Sequence, residues 1–211
     1  MRHKGTLKSI SRLAIASAVG GTVLSLLGCR GVLTGIGSDS ADIQTYVIKQ
    51  GDHYSQPAMA GVFSGIAMRF RARFDDSAVY VIEPSKQEDT NKLYGFSDCR
   101  ALHQTNSIRI GWNWSPADQR IHIRAYVYRN NERRSEIFSS ALPNRWNTFE
   151  IGLSDDRRSY MISHTDMVGG QKVITMDRGC DSGEFRGYRL YPYFGGTTPA
   201  PHDMLIEIEE L

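Results

Sequence analysis

Ile66-Ala-Met-Arg-Phe-Arg-Ala-Arg-Phe74 alternates without a break: Met68, Phe70, Ala72 and Phe74 project to one side, Arg69, Arg71 and Arg73 to the other. Successive side chains of an extended chain point to opposite faces, so the pattern predicts a strand with one buried and one wet face. The same period recurs in Ile108-Arg-Ile-Gly-Trp-Asn-Trp114, which gathers Ile108, Ile110, Trp112 and Trp114 on one side. In Arg120-Ile-His-Ile-Arg-Ala-Tyr-Val-Tyr-Arg129, Ile121, Ile123, Ala125 and Val127 oppose His122, Arg124, Tyr126 and Tyr128. Ser115-Pro-Ala-Asp-Gln119 and Asn130-Asn131 carry turn chemistry, so these runs are expected to fold back on one another as antiparallel neighbours.

Outward from this centre, further strands are expected at Gln44–Lys49, Ala78–Glu83, Arg134–Ser140, Asn147–Leu153, Ser159–His164, Lys172–Met176, Tyr188–Phe194 and Met204–Ile208. About eleven short strands with brief turns and no helical period predict an all-β fold, an antiparallel sandwich or barrel, in one domain over 42–211. The 211 residues are 40% hydrophobic and 23% charged, a globular composition that excludes disorder, collagen and coiled coil.

The N-terminus has a different composition. Basic Met1–Arg12 runs into apolar Leu13–Leu27, which as a helix would reach only about 22 Å, short of a bilayer core, and so reads as an export leader. Without residues 1–28, the basic count falls from 25 to 21 against 23 acids, a balance that argues against a nucleic-acid partner. The leader closes on Leu26-Leu27-Gly28-Cys29, which resembles the bacterial lipoprotein signal. That resemblance implies cleavage after Gly28, acylation of Cys29 and attachment to a membrane of the bacterial envelope. Arg30 stands where an Asp would favour inner-membrane retention, so the outer membrane is expected in a diderm host. Residues 29–41, with three glycines, read as the lipidated cysteine and a flexible tether.

With Cys29 assigned to lipid, Cys99 and Cys180 remain. They can form a disulfide in an oxidising compartment, restricting the unfolded chain by roughly 4–5 kcal/mol, or stay as two unpaired buried thiols. Neither sits in a Cys-x-x-Cys, so no metal is expected, and no cofactor motif occurs.

The strand spacing and the ending Tyr188-Arg-Leu-Tyr-Pro-Tyr-Phe-Gly-Gly196 … Pro201-His-Asp-Met-Leu-Ile-Glu-Ile208 resemble jelly-roll sandwiches of the concanavalin and laminin-G type. Gly111–Trp114 and Tyr191–Asp203 are also similar to a series in small bacterial envelope proteins, over roughly residues 93–208. This likeness implies the fold and names no substrate.

Two rows could meet a ligand. His122, Arg124, Tyr126 and Tyr128 have the composition of a polysaccharide-binding sheet face, and Arg69, Arg71 and Arg73 would suit carboxylated or sulfated sugars. Tyr, Arg and His are common on exposed antiparallel sheets, so a plain solvent face is the first expectation for either row and a ligand surface the second. Trp112 and Trp114 share the side of Ile108 and Ile110 and read as core. Glu207 and Glu209 are spaced as glycosidase carboxylates can be, but read as solvated. The sequence thus favours a noncatalytic envelope protein that binds a glycan or cell-wall polymer. A structural or protein-binding role comes second. A polysaccharide lyase using Arg124, His122 and Tyr126 comes third, because the Gln-x-His and Tyr-x-Lys-x-Gly-x-Tyr runs of lyases with this fold are absent. A lyase requires His122 and Tyr126 to converge, whereas a binding module predicts a groove without a perturbed acid–base group.

Overall fold

The computed structural model describes residues 42–58 and 61–211. The leader, Cys29 and the tether lie outside the described residues. The elements are β1 (Gln44–Ile48), β2 (Ser55–Gln56), β3 (Val62–Gly65), β4 (Ala67–Phe74), β5 (Asn91–Ser97), β6 (Ser107–Ser115), β7 (Arg120–Arg129), β8 (Glu132–Ala141), β9 (Trp146–Leu153), β10 (Ser159–Thr165), β11 (Gln171–Asp177), β12 (Phe185–Leu190) and β13 (Met204–Glu210). They form two sheets, ordered β11-β10-β9-β4-β13-β1-β2 and β3-β12-β5-β6-β7-β8. Every ladder in them is antiparallel. Two opposed sheets give each greasy face a partner, which is why period-two sequences condense this way.

The faces obey the alternation. Met68, Phe70, Ala72 and Phe74 are buried on β4, as are Ile108, Ile110, Trp112 and Trp114 on β6. Phe74 and Trp112 meet across the sheets with ring centroids 5.0 Å apart, and each such ring is worth about 1.5–3 kcal/mol in removal from water.

The expected strand at Ala78–Glu83 is absent. Asp75 caps a 3-10 turn at Asp76–Ala78 by accepting from the Ser77 amide at 2.9 Å. Beyond it, the Gln87 side chain accepts from Ile82 N–H at 2.9 Å and donates to the carbonyls of Tyr80 and Trp114 at 3.2 and 3.0 Å. One amide side chain thereby replaces a ladder partner. Strand β5 escaped the pattern because it is buried on both faces and bulged between Lys92 and Tyr94, so no alternation survives. The expected run Tyr188–Phe194 is displaced: β12 ends at Leu190, and Tyr193 makes only isolated bridges to Lys92 and Tyr54. Glu209 is likewise not solvated; it is 4% exposed and accepts from Arg71.

Cys99 and Cys180 are joined, with Cα atoms 5.9 Å apart, tying the loop after β5 to the loop after β11. Beside them the Asp98 carboxylate accepts from Arg178 Nε at 2.6 Å, Arg178 Nη2 at 3.1 Å and the Tyr160 hydroxyl at 3.1 Å.

A buried histidine makes the fold acid-sensitive. His164 stacks on Phe149, its Nε2–H donating to Asn147 Oδ1 at 2.9 Å and its Nδ1 accepting from the Ser139 hydroxyl at 2.7 Å. This neutral tautomer suits the site, and burial lowers the pKa from 6.5 to about 4. The unfolded chain therefore takes up the proton first. The contribution is intact above pH 6.5 and is lost as pH falls toward 4, by about 3 kcal/mol in all. Denaturant titrations from pH 7 to 4 are expected to show that loss in the wild type and a flatter dependence in His164→Gln; parallel curves would contradict it.

Candidate functional site

On the outer face of the six-stranded sheet, register brings Lys92 beside Gly111, Arg109 beside Tyr126 and Ser107 beside Tyr128. These positions alternate with the core residues of β6 and β7, so their side chains turn away from the interior. Lys92, Arg109, Tyr126 and Tyr128 line a cleft of about 650 Å³, together with Arg133, His103 and the Tyr191–Tyr193 segment that follows β12. Gly95 permits the arrangement, because a Cβ there would lie 2.7 Å from the Arg109 Cα and 2.1 Å from the Ile108 carbonyl oxygen.

Two of the cleft's cations, Arg109 and Lys92, make no ion pair among the described residues, whereas Arg189 is paired with Glu210 at 2.7 Å. Arg109 is 8% exposed, yet among the described residues its guanidinium makes no ion pair, and its buried Nε has no acceptor. Its guanidinium carbon lies 5.3 Å from the Tyr126 ring centroid. Burial lowers its pKa, opposed by the surrounding tyrosines. Lys92 is 9% exposed, with Nζ 5.0 Å from the Tyr126 ring and 5.3 Å from the Tyr193 ring, and no carboxylate bonds it among the described residues. Burial first, then repulsion from Arg109 and Arg133, brings its pKa down to about 8 against the weaker pull of Asp89. Tyr126 is shifted the opposite way, up to about 12, by burial and by its neighbour Tyr128.

At the margin, the Tyr188 hydroxyl accepts from the His103 amide at 3.0 Å and lies 2.8 Å from His103 Nδ1. The hydroxyl proton is then free to go to Nδ1, leaving Nε2 as the protonated nitrogen. Burial and Arg109 both lower the pKa of this imidazole. Tyr54, 71% exposed, stands edge-on to Tyr193 at 5.0 Å and offers a ring to solvent at the mouth.

The sequence-derived rows divide. Tyr126 and Tyr128 line the cleft. His122 does not converge with Tyr126: its Nε2 bonds Asp118 at 2.6 Å. Arg124 donates to Asn113 Oδ1 and Glu88 Oε2, both at 2.8 Å. Arg69, Arg71 and Arg73 lie on the other sheet, on its outer face, so they cannot join these residues. Arg71 and Arg73 are ion-paired with Glu209 and Glu207, and their guanidinium carbons sit 4.7 and 5.2 Å from the Trp146 ring. Lys92 carries no sequence signal because β5 is buried on both faces and bulged, whereas the alternation of β6 already turns Arg109 outward, opposite Ile108 and Ile110.

No protein-family model matches the chain, and no curated protein does. Among solved structures, it is similar to an alginate lyase from Klebsiella pneumoniae, with a TM-score of 0.50 at 10% identity over 70% of this chain. This body is a jelly-roll sandwich. The similarity covers 58% of that lyase's length, and at such identity it extends to the fold alone. An alginate lyase from a Chlorella virus gives 0.49 at 14% identity, covering 82% of this chain and 84% of that one. Winged bean acidic lectin complexed with methyl-α-D-galactose gives 0.42 at 8% identity, over 81% and 100%.

Proposed function

We propose that the jelly-roll cleft cleaves an acidic polysaccharide by β-elimination at a uronic acid residue. The observation that carries this reading is the pair of buried cations without counter-ions, Arg109 and Lys92, one of them brought close to neutral pH. A lysine of lowered pKa beside an unpaired arginine suits elimination, which needs a cation, a base and an acid. Arg109 offers its free N–H groups to the uronate carboxylate, offsetting the charge that builds there as the adjacent C–H acidifies. Uncharged Lys92 removes the C5 proton. That electron pair forms the C4=C5 double bond, the C4–O bond breaks with its electrons on the glycosidic oxygen, and the hydroxyl pair Tyr126–Tyr128 supplies the proton to it. The elevated Tyr126 pKa keeps that donor protonated while Lys92 is free. That the Klebsiella pneumoniae neighbour is an alginate lyase is in keeping with this chemistry.

The sequence expectation of export and acylation at Cys29 supplies the proposed location, at the cell envelope facing extracytoplasmic polymers.

The purified mature protein tests both points. With soluble polyuronates, unsaturated products are expected to form, and kcat/KM to rise with pH through about 8 as Lys92 deprotonates. The mass of the N-terminal peptide reports whether Cys29 carries acyl chains. Saturable polyuronate binding without unsaturated product would leave a noncatalytic glycan-binding cleft, for which the exposed Tyr54 ring is the natural sugar platform.

A further inference from the structure

Glu88, Asp89 and Thr90 cross the outer face of the six-stranded sheet before the chain enters β5. Thr90 Oγ1 reaches Ser135 Oγ on β8 at 3.2 Å. Glu88 Oε2 accepts from Arg124 Nη2 at 2.8 Å and from Asn113 Nδ2 at 3.3 Å, on β7 and β6. Three glycines make a bed for this strap. A Cβ at Gly111 would come within 2.6 Å of Thr90 Cγ2, one at Gly195 within 1.9 Å of the Thr90 carbonyl oxygen, and one at Gly196 within 2.0 Å of Asp89 Oδ2.

Such tight seating marks a built wall. It divides the sheet face in two: Lys92, Arg109, Tyr126 and Tyr128 lie on the cleft side with Asp89, while Asn113, His122 and Arg124 stand outside the cleft lining. A polymer bound by an interior residue must leave a groove at both ends, and here the path along β6 and β7 is crossed by the Glu88 carboxylate, bonded to Asn113 and Arg124, and by Thr90 packed over Gly111. A terminal sugar differs in carrying a free hydroxyl where an interior one carries the next residue. Asp89 and Lys86, both in the cleft lining, are an acceptor and a donor suited to it.

We infer that the Glu88–Thr90 strap makes the cleft a dead end, so that the protein works at the ends of acidic polysaccharide chains and releases short oligosaccharides; this rests on the lyase reading above. The polar groups that a chain end satisfies and an interior residue leaves unpaired are what such a site discriminates with.

The test digests a long, size-defined polyuronate with the full-length protein, following product lengths by mass spectrometry and solution viscosity from the earliest conversion. Short unsaturated products from the first time point, with viscosity lagging behind product release, are expected. In the double variant Glu88→Ala/Thr90→Gly, the early products are expected to shift to mixed lengths, with a prompt fall in viscosity. Mixed lengths from the wild type at the outset would overturn the dead end and leave the lyase reading standing. Unchanged short products from a folded double variant would overturn the role of the strap. No unsaturated product from any polyuronate would remove the lyase reading, and the inference with it. Should the double variant not fold, the wild-type length distribution decides.

Discussion

Arg109→Met is expected to change activity and stability in opposite directions. Removing the guanidinium withdraws the group proposed to hold the uronate carboxylate, and loss of one preorganised donor set of this kind lowers turnover by roughly 10²–10³-fold. The same substitution removes a buried cation whose Nε has no acceptor, so the fold is expected to gain about 1–3 kcal/mol. Lys92→Met follows the same logic, losing the base, about 10²–10⁴-fold in rate, and relieving repulsion with Arg109 and Arg133. Product formation and thermal unfolding, measured on one preparation, check the pair of signs. A variant that is less stable and equally active would show that these cations belong to the scaffold.

Arg178→Met is expected to produce the largest loss of stability. Arg178 and Asp98 are fully buried, and the guanidinium also donates to the carbonyls of Ser182 and Glu184 at 2.6 and 2.9 Å. Asp98 further accepts from the amides of Cys99 and Arg186 at 2.6 and 3.1 Å, so one ion pair organises both segments joined by the Cys99–Cys180 bridge. Cutting one partner from a buried pair leaves an uncompensated charge and costs roughly 3–5 kcal/mol, a large share of the stability of a domain. The denaturant midpoint, read with the disulfide kept oxidised, is expected to fall accordingly. Adding Asp98→Asn should restore part of the loss by removing the stranded charge. A midpoint unchanged by Arg178→Met would show that water reaches this site.

The two kinds of strand separate what could be read early from what could not. Strands such as β4, β6 and β7, each with one core face, carry their assignment in the alternation of Phe70 and Arg71, or of Ile110 and Arg109. Strand β5 does not, because the strap and the segment after β12 cover its outer face and the bulge shifts its period. Half of the His122–Tyr128 row proved to line the cleft, and the rest is engaged by Asp118 and Glu88, carboxylates whose approach depends on loop paths. The arginines of β4 misled for a similar reason: Glu207 and Glu209 are distant in sequence and become cross-strand partners only through the β4–β13 ladder.

By itself the sequence determined an antiparallel all-β body and which side of β4, β6 and β7 faces inward, because a two-residue period is a local property of the backbone. Only the tertiary structure decided which charges are satisfied. Arg71, Arg124 and Arg178 each found a carboxylate, while Arg109 and Lys92 were buried without one. Electrostatic pairing acts across space between residues up to 154 positions apart in the chain, and no local pattern records it.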